Sequence, residues 1–461
     1  QSIENASQKA LSQNFDFTIG KNTVLAPLGG EKQITPQEGM VAKIPVLGQD
    51  TSTASVMTVS FKPDLATLSP YHGAYYAVVN SVAKAVALGV PYQETRLTLQ
   101  EFFESMVNEN SWGKPTAALL GAFKSMKQLG LAAIGGKDSM SGTFEDIEVP
   151  PSLISFAVAT TDFTKVNSRE LKSTDSKIVL LEARLNADDL LDTDEIKATF
   201  ETITNLINEN KVRSISTMDD KTIEMNLIEM ALGNVIGFEM KAEYLHKKSA
   251  LGFLVEVASD VEVEGGVIVA QTNSSDEAKF DQTYALEELA RLYAEPLADV
   301  FSDIELVSNS EDVNPALEIP EISSNAKVLI PVITGVHGEY DLYESFKRYT
   351  EHVDFFIIKE ELGYKESVKE FASKLSDYDV LAFPDGSILS NRLQYGQAIE
   401  LLIKDIQAEL EAFAKDKYIL AIGASFAGFV RSGLIEFGYV QTGTSIKFKE
   451  NPMEKFVSSV V

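Results

Sequence analysis

The run Ile134-Gly135-Gly136-Lys137-Asp138-Ser139-Met140-Ser141-Gly142-Thr143 concentrates more chemistry than any other stretch of the chain. Two adjacent glycines let a backbone come close to a ligand, and successive N–H groups in such a turn form a nest for an anion. Lys137 adds a cation, and Ser139, Ser141 and Thr143 add hydroxyl donors. The set suits a phosphate or a metal-nucleotide. It equally suits a polar turn between a helix and a strand. It is not a Walker A loop, because the GxxxxGK[ST] spacing is absent.

Three further groups invite a chemical reading. Ser69-Pro70-Tyr71-His72-Gly73 stands where a helix begins. A histidine there can meet a ligand anion or act as a general acid, although a capped surface residue is the plainer reading. Thr217-Met218-Asp219-Asp220 offers two carboxylates that can hold a divalent cation, with Asp220 the metal candidate. In an acidic chain, adjacent aspartates are ordinarily just solvated. Gly423-Ala424-Ser425-Phe426-Ala427-Gly428 sits at a strand-to-helix turn, where Ser425 invites a nucleophile reading. A GxSxG elbow is not met, since residue 427 is Ala. His337 and His352 lie near strands of the same region, but neither spacing demonstrates a triad. A tight turn of small residues accounts for this segment more simply.

These residues need elements to hold them. Residues 72–88 read as a helix, with Ala74, Val78, Val82 and Ala85 at helical spacing. Pro115 suits the first turn of a helix carrying Leu119, Leu120, Phe123 and Met126, and Gly130 suits a left-handed cap at its end. Ser152 to Thr160 predicts a buried strand and 178–182 a strand opening a second unit. Asp192 and Glu195 form a capping box before a helix with Ile196, Phe200, Ile203 and Ile207 on one face. Residues 307–325 are polar, acidic and broken by two prolines, which marks a linker. Beyond it, strands near 328–333, 353–358, 380–383 and 419–422 alternate with helices at 339–350, 364–375, 394–415 and 426–433. That alternation predicts a parallel doubly wound sheet, with sites beyond the strand ends at 334–338, 384–390 and 423–426.

Composition sets the outer bounds. At about 150 residues per domain, 461 residues suggest three domains. The chain has no cysteine, which excludes disulfides, thiolate metal sites and a cysteine nucleophile. A formal charge of −28 repels nucleic acid and anionic membranes. No apolar run approaches the roughly 20 residues of a membrane span, and the start lacks a basic and apolar leader. A cytoplasmic location follows as the expectation. The missing initiator methionine hints at a piece of something longer, though processing or trimming would look the same.

Several motifs resemble phosphoribosylformylglycinamidine synthase of the large, fused kind. They are Gly135 to Asp146 with Val149-Pro150-Pro151, Ser69 to Ala74 with Tyr76-Ala77-Val78, Val41 to Val46, and Trp112 to Gly121. That family has two pseudo-symmetric synthase halves and a glutaminase domain. The resemblance implies an α/β and α+β multidomain chain. Residues 1–168 would be an AIR-synthase-like N-terminal-type domain of the second half, whose sheet pairs with a twin from the first. Residues 169–306 would be the C-terminal-type domain. Residues 326–461 would be a truncated, flavodoxin-like class I amidotransferase domain. The family uses ATP, Mg²⁺ and glutamine to turn formylglycinamide ribonucleotide into its amidine. By resemblance, Gly135, Gly136, Lys137, Asp138, Ser139, Ser141 and His72 would bind ribonucleotide and nucleotide. The partners implied are those small molecules and a first synthase half, in cis or in trans.

Three departures weigh against full activity. An acidic metal ligand of the family reads Asn80 here, with Lys84 four residues on, so a cation stands where Mg²⁺ is expected. A glycine pair of the second domain is replaced by Asp220-Lys221-Thr222. The family's nucleophilic cysteine aligns with Gly423, and Pro-Gly-Thr-Asn-Cys-Glu-Tyr-Asp aligns with Thr334 to Asp341 with Asn-Cys replaced. A glutaminase needs a thiolate. The expectation is a synthase relative without glutamine hydrolysis. The alternatives are a non-catalytic interaction or regulatory protein and, more weakly, an ammonia-dependent ligase.

Overall fold

The computed structural model describes residues 5–13, 20, 22–46, 49–301, 325–359 and 363–441. The expected linker at 307–325 falls, but for Asn325, outside them. Residues 1–45 and 50–308 form one unit, and 46–49 with 309–461 form another.

The first unit holds two sheets. Its first sheet takes β1 (Thr23–Leu25), β2 (Gly39–Lys43), β3 (Thr53–Ser60), β4 (Arg96–Phe102), β5 (Ala133–Ser139) and β6 (Ser152–Asp162) in the order β1-β2-β3-β6-β4-β5. All neighbours are antiparallel except β4 and β5, which run parallel. One face is covered by α1 (Pro70–Ala87), whose Ser69 cap accepts the His72 N–H. This helix is buried on nearly every side, as its Ala- and Val-rich sequence requires.

The next helix, α2 (Glu109–Leu129), begins earlier than expected. Asn108 and Ser111 form a capping box, and Pro115 lies inside the helix rather than in its first turn. Its packed face consists of small residues such as Ala118, Gly121, Ala122 and Ser125. A Cβ on Gly121 would collide with the Tyr71 carbonyl, so glycine permits the close crossing of α1 and α2. Leu119, Leu120 and Phe123 are exposed. Gly130 closes the helix in the left-handed conformation, as expected.

The second sheet uses β7 (Ser176–Glu182), β8 (Val212–Thr217), β9 (Gly237–Met240), β10 (Gly252–Ala258), β11 (Val267–Asn273), β12 (Glu277–Lys279) and β13 (Thr283–Ala285), ordered β8-β10-β7-β11-β9-β12-β13. Helices α3 (Thr193–Asn208), α4 (Ile223–Leu232) and α5 (Leu286–Ala294) accompany it. Asp192 caps α3, but Glu195 does not close the box. Its carboxylate accepts the Arg184 backbone N–H instead, at 2.8 Å.

The second unit alternates strands with helices: β14 (Val328–Val332), α6 (Glu339–Lys347), β15 (Val353–Ile357), α7 (Tyr364–Lys374), β16 (Val380–Phe383), the helix pair α8 (Arg392–Asp405) and α9 (Gln407–Phe413), β17 (Tyr418–Ala421) and α10 (Ala424–Ser432). The helix expected over 394–415 is divided at Ile406. The sheet is wholly parallel in the order β15-β14-β16-β17, the doubly wound arrangement expected. The mixed α/β fold class of the whole chain is therefore as the sequence implied.

Candidate functional sites

The glycine–lysine motif is a strand. Residues 133–139 form β5 at the sheet margin, where the sequence suggested either an anion nest or a turn. Neither Gly135 nor Gly136 has a positive φ. Successive N–H groups of this extended strand point to opposite sides, and the parallel ladder to β4 takes those on one side, so they do not converge on one anion as in a nest. Gly136 is needed for a different close approach: a Cβ there would stand 2.7 Å from the Leu99 carbonyl oxygen of β4. Turn signals misled because paired glycine with polar residues resembles a loop, while an exposed edge strand shows no apolar alternation.

The side chains of the motif stay accessible. Lys137 lies 3.8 Å from the Phe102 ring centroid and donates to Ser139 Oγ at 2.8 Å. Ser141 is exposed, whereas Thr143 Oγ1 is used by the Ser105 N–H at 3.0 Å. Asp138 lies opposite Glu101 in the register. Beside Lys137, the sheet face away from α1 carries a cleft of about 370 Å³ lined by Met57, Thr98, Gln100, Gly136, Lys137 and Phe156. Met40, Met57 and Val59 remain 40–46% exposed on neighbouring strands, so among the described residues this apolar face stays open.

His72 belongs to a second cleft, of about 380 Å³, lined from α1 by His72 and Tyr76 and from loops by Leu185, Asp189, Asp220 and Ala250. Its Nδ1 lies 2.8 Å from Ser69 Oγ and its Nε2 3.2 Å from the Asp188 carbonyl oxygen. Tyr76 donates to the Asp189 carbonyl oxygen at 2.6 Å, and Asp220 lines the same cleft. The backbone is left-handed at both Asp219 and Asp220, a strained pair for residues other than glycine.

That strain is held by lysines. Lys62 pairs with both Asp219 and Asp220, and Lys84 pairs with the other oxygen of Asp219. The ordinary solvated reading of these aspartates is thus replaced by an ion cluster. Burial alone would raise the Asp219 pKa, but Lys84 and Lys62 outweigh it and hold the carboxyl well below its usual range. Burial likewise opposes the charge on Lys62, and the two aspartates reverse that and raise its pKa. The metal candidate Asp220 is committed to Lys62. Among the described residues no group of three His, Asp or Glu side chains is placed to hold a metal ion. The residues present therefore do not fit Mg²⁺ here.

A deeper network escaped the sequence reading. Arg169, 6% exposed, pairs with Glu38 and Glu229 and donates to the Pro36 carbonyl oxygen at 2.9 Å. Lys221 and Tyr293 also reach Glu229. These partners lie 60 or more residues from Arg169 apart from Lys221, and nothing in the spacing announces them.

In the second unit the turns at 334–338, 384–390 and 423–426 converge. Val336–His337 pairs antiparallel with Asp385–Gly386, and the Ala424 N–H donates to Asp385 Oδ1 at 2.7 Å. Gly423 has φ 57° and ψ −120°, a sharp strand-to-helix elbow without a side chain. Ser425 is no substitute nucleophile, because its buried hydroxyl donates to the Pro384 carbonyl oxygen. His337 Nε2 is 3.1 Å from Ser387 Oγ, and His352 is not part of this group.

The parallel sheet and its elbow define a class. Residues 325–461 match the CobB/CobQ-like glutamine amidotransferase domain. No curated protein matches the chain. Among solved structures, PurL of T. maritima complexed with AMPPCP is 13% identical, with a TM-score of 0.45 over 54% of this chain and 46% of that one. Phosphoribosylformylglycinamidine synthase II from Thermotoga maritima is 12% identical, with a TM-score of 0.45 over 57% and 48%. Thiamine monophosphate kinase from Aquifex aeolicus is 10% identical, with a TM-score of 0.37 over 52% and 92%. The chain spans less than half the length of the PurL chains it matches. Among the described residues, no helix is long and apolar enough to cross a membrane.

Proposed function

We propose that this chain is the second half of a phosphoribosylformylglycinamidine-synthase-like assembly, joined to an amidotransferase-like domain that hydrolyses no glutamine. The observation that carries it is the uncovered sheet face with Lys137 at its rim. An apolar face of this extent needs a cover. A twin sheet from a first synthase half, in cis or in trans, supplies one and completes the cleft beside Lys137. The ligands are formylglycinamide ribonucleotide and ATP. Lys137 neutralises phosphate charge, with Ser139 and Ser141 donating hydrogen bonds. In the second unit, the elbow lacks any group that can form a thioester, so ammonia must come from elsewhere.

Sedimentation of the chain with a purified first synthase half tests this reading. A one-to-one complex is expected, and Met57→Glu with Val59→Glu should abolish it. Failure of the unaltered chain to associate would overturn it.

A second reading has its own support. Two places where the resemblance implies chemistry are filled by this chain's own side chains: Lys62 and Lys84 pair with Asp219 beside the metal candidate Asp220, and Asp385 fills the elbow. Such a protein keeps the fold and serves as a non-catalytic partner. Ligand binding separates the two readings.

A further inference from the structure

An elbow of this shape is strained, and a residue without a Cβ bears the strain most easily. At Gly423, however, freedom of φ is only half of the account. A Cβ built there would overlap the Asp385 carboxyl group itself. The same carboxylate is tied in on every side. Its Oδ1 accepts the Ala424 N–H at 2.7 Å and the Gly386 N–H at 2.8 Å. Its Oδ2 pairs with Arg392, at the start of α8. Gly386 is in turn fixed, because a Cβ on it would overlap the Tyr395 ring.

Two backbone N–H groups converging on one anionic oxygen at 2.7–2.8 Å are what acyl-transfer sites use to hold a developing oxyanion. One donor is the N–H after the elbow residue, as in nucleophile elbows generally. We infer that Asp385 is an internal anion that occupies this cradle, so that Gly423 and Asp385 are a coupled pair and the nucleophile position is closed from within. Returning a side chain to residue 423 then requires removal of the one at 385. The inference deepens the reading of a non-hydrolytic domain, and its test does not depend on glutamine.

Because the natural chain has no cysteine, a thiol at 423 is a clean probe. The full chain would be prepared as Gly423→Cys, Asp385→Gly and the double variant. Thermal midpoints and the rate of alkylation by iodoacetamide would be read. Both single changes should lower the midpoint, and the double variant should lie well above the sum of the two losses. Its thiol should react more than about tenfold faster than that of Gly423→Cys. Additive losses with equal alkylation rates would overturn the pairing. If Gly423→Cys does not fold, Asp385→Gly decides alone: formate should raise its midpoint saturably while leaving the natural chain unmoved, and the absence of that rise would overturn the inference.

Discussion

Glu101 shows how a single residue can stand outside both the core and the site logic. It is 2% exposed and lies opposite Asp138 in the ladder between β4 and β5. Burial, with the neighbouring Asp138 charge and a side-chain hydrogen bond to Asp138, pushes its pKa from 4.5 up to about 7. The folded chain therefore holds a proton that the unfolded chain releases. Stability from this group is complete below about pH 4.5 and falls as pH rises toward 7. Glu101→Gln keeps the shape and removes the titration. Its thermal midpoint is expected to exceed that of the natural chain at pH 8 and to equal it near pH 4.5. Equal midpoints at both values would contradict the assignment. Such a group is invisible in the sequence, where Glu101 is one of 68 acidic residues.

At the scale of elements, β5 depends on one glycine more than on its neighbour. A Cβ at Gly136 would press on the Leu99 carbonyl, whereas one at Gly135 meets only Thr98 Oγ1, at 4.0 Å. Gly136→Val should cost about 1–3 kcal/mol in denaturant unfolding, and Gly135→Ala about 0.5 kcal/mol or less. Equal costs would show that the strand register is not set here. The alternating strands and helices of the second unit were legible because each apolar run is short and bounded by turns. The same holds for α1, with its continuous small apolar residues. By contrast, α2 was read from Leu119, Leu120, Phe123 and Met126, of which only Met126 packs against the core and the other three are exposed. The packed face is made of Ala, Gly and Ser, which carry weak periodic signal. Asp385 and Ala424 each lie in a turn beyond a strand end, where a doubly wound sheet places its sites, but their contact joins residues 39 apart and appears only with the fold.

At the scale of the whole molecule, two units carry two different candidate sites. The first unit presents an open apolar sheet with a cation at its margin, and ion pairs where a divalent cation was expected. The second keeps a parallel sheet and an elbow whose cradle is filled by Asp385. With a net charge of −28, the chain as a whole does not attract phosphate, so Lys137 acts locally. A cation on an exposed strand is also screened by salt until a second surface excludes water. In the function proposed here, the ligand site is assembled from this face and a twin sheet. Calorimetric titration of formylglycinamide ribonucleotide, into the chain alone and into its complex with a first synthase half, tests that most directly. Saturable binding is expected only in the complex, with its loss on Lys137→Ala. Binding by the chain alone as tight as by the complex, or a complex indifferent to residue 137, would contradict it.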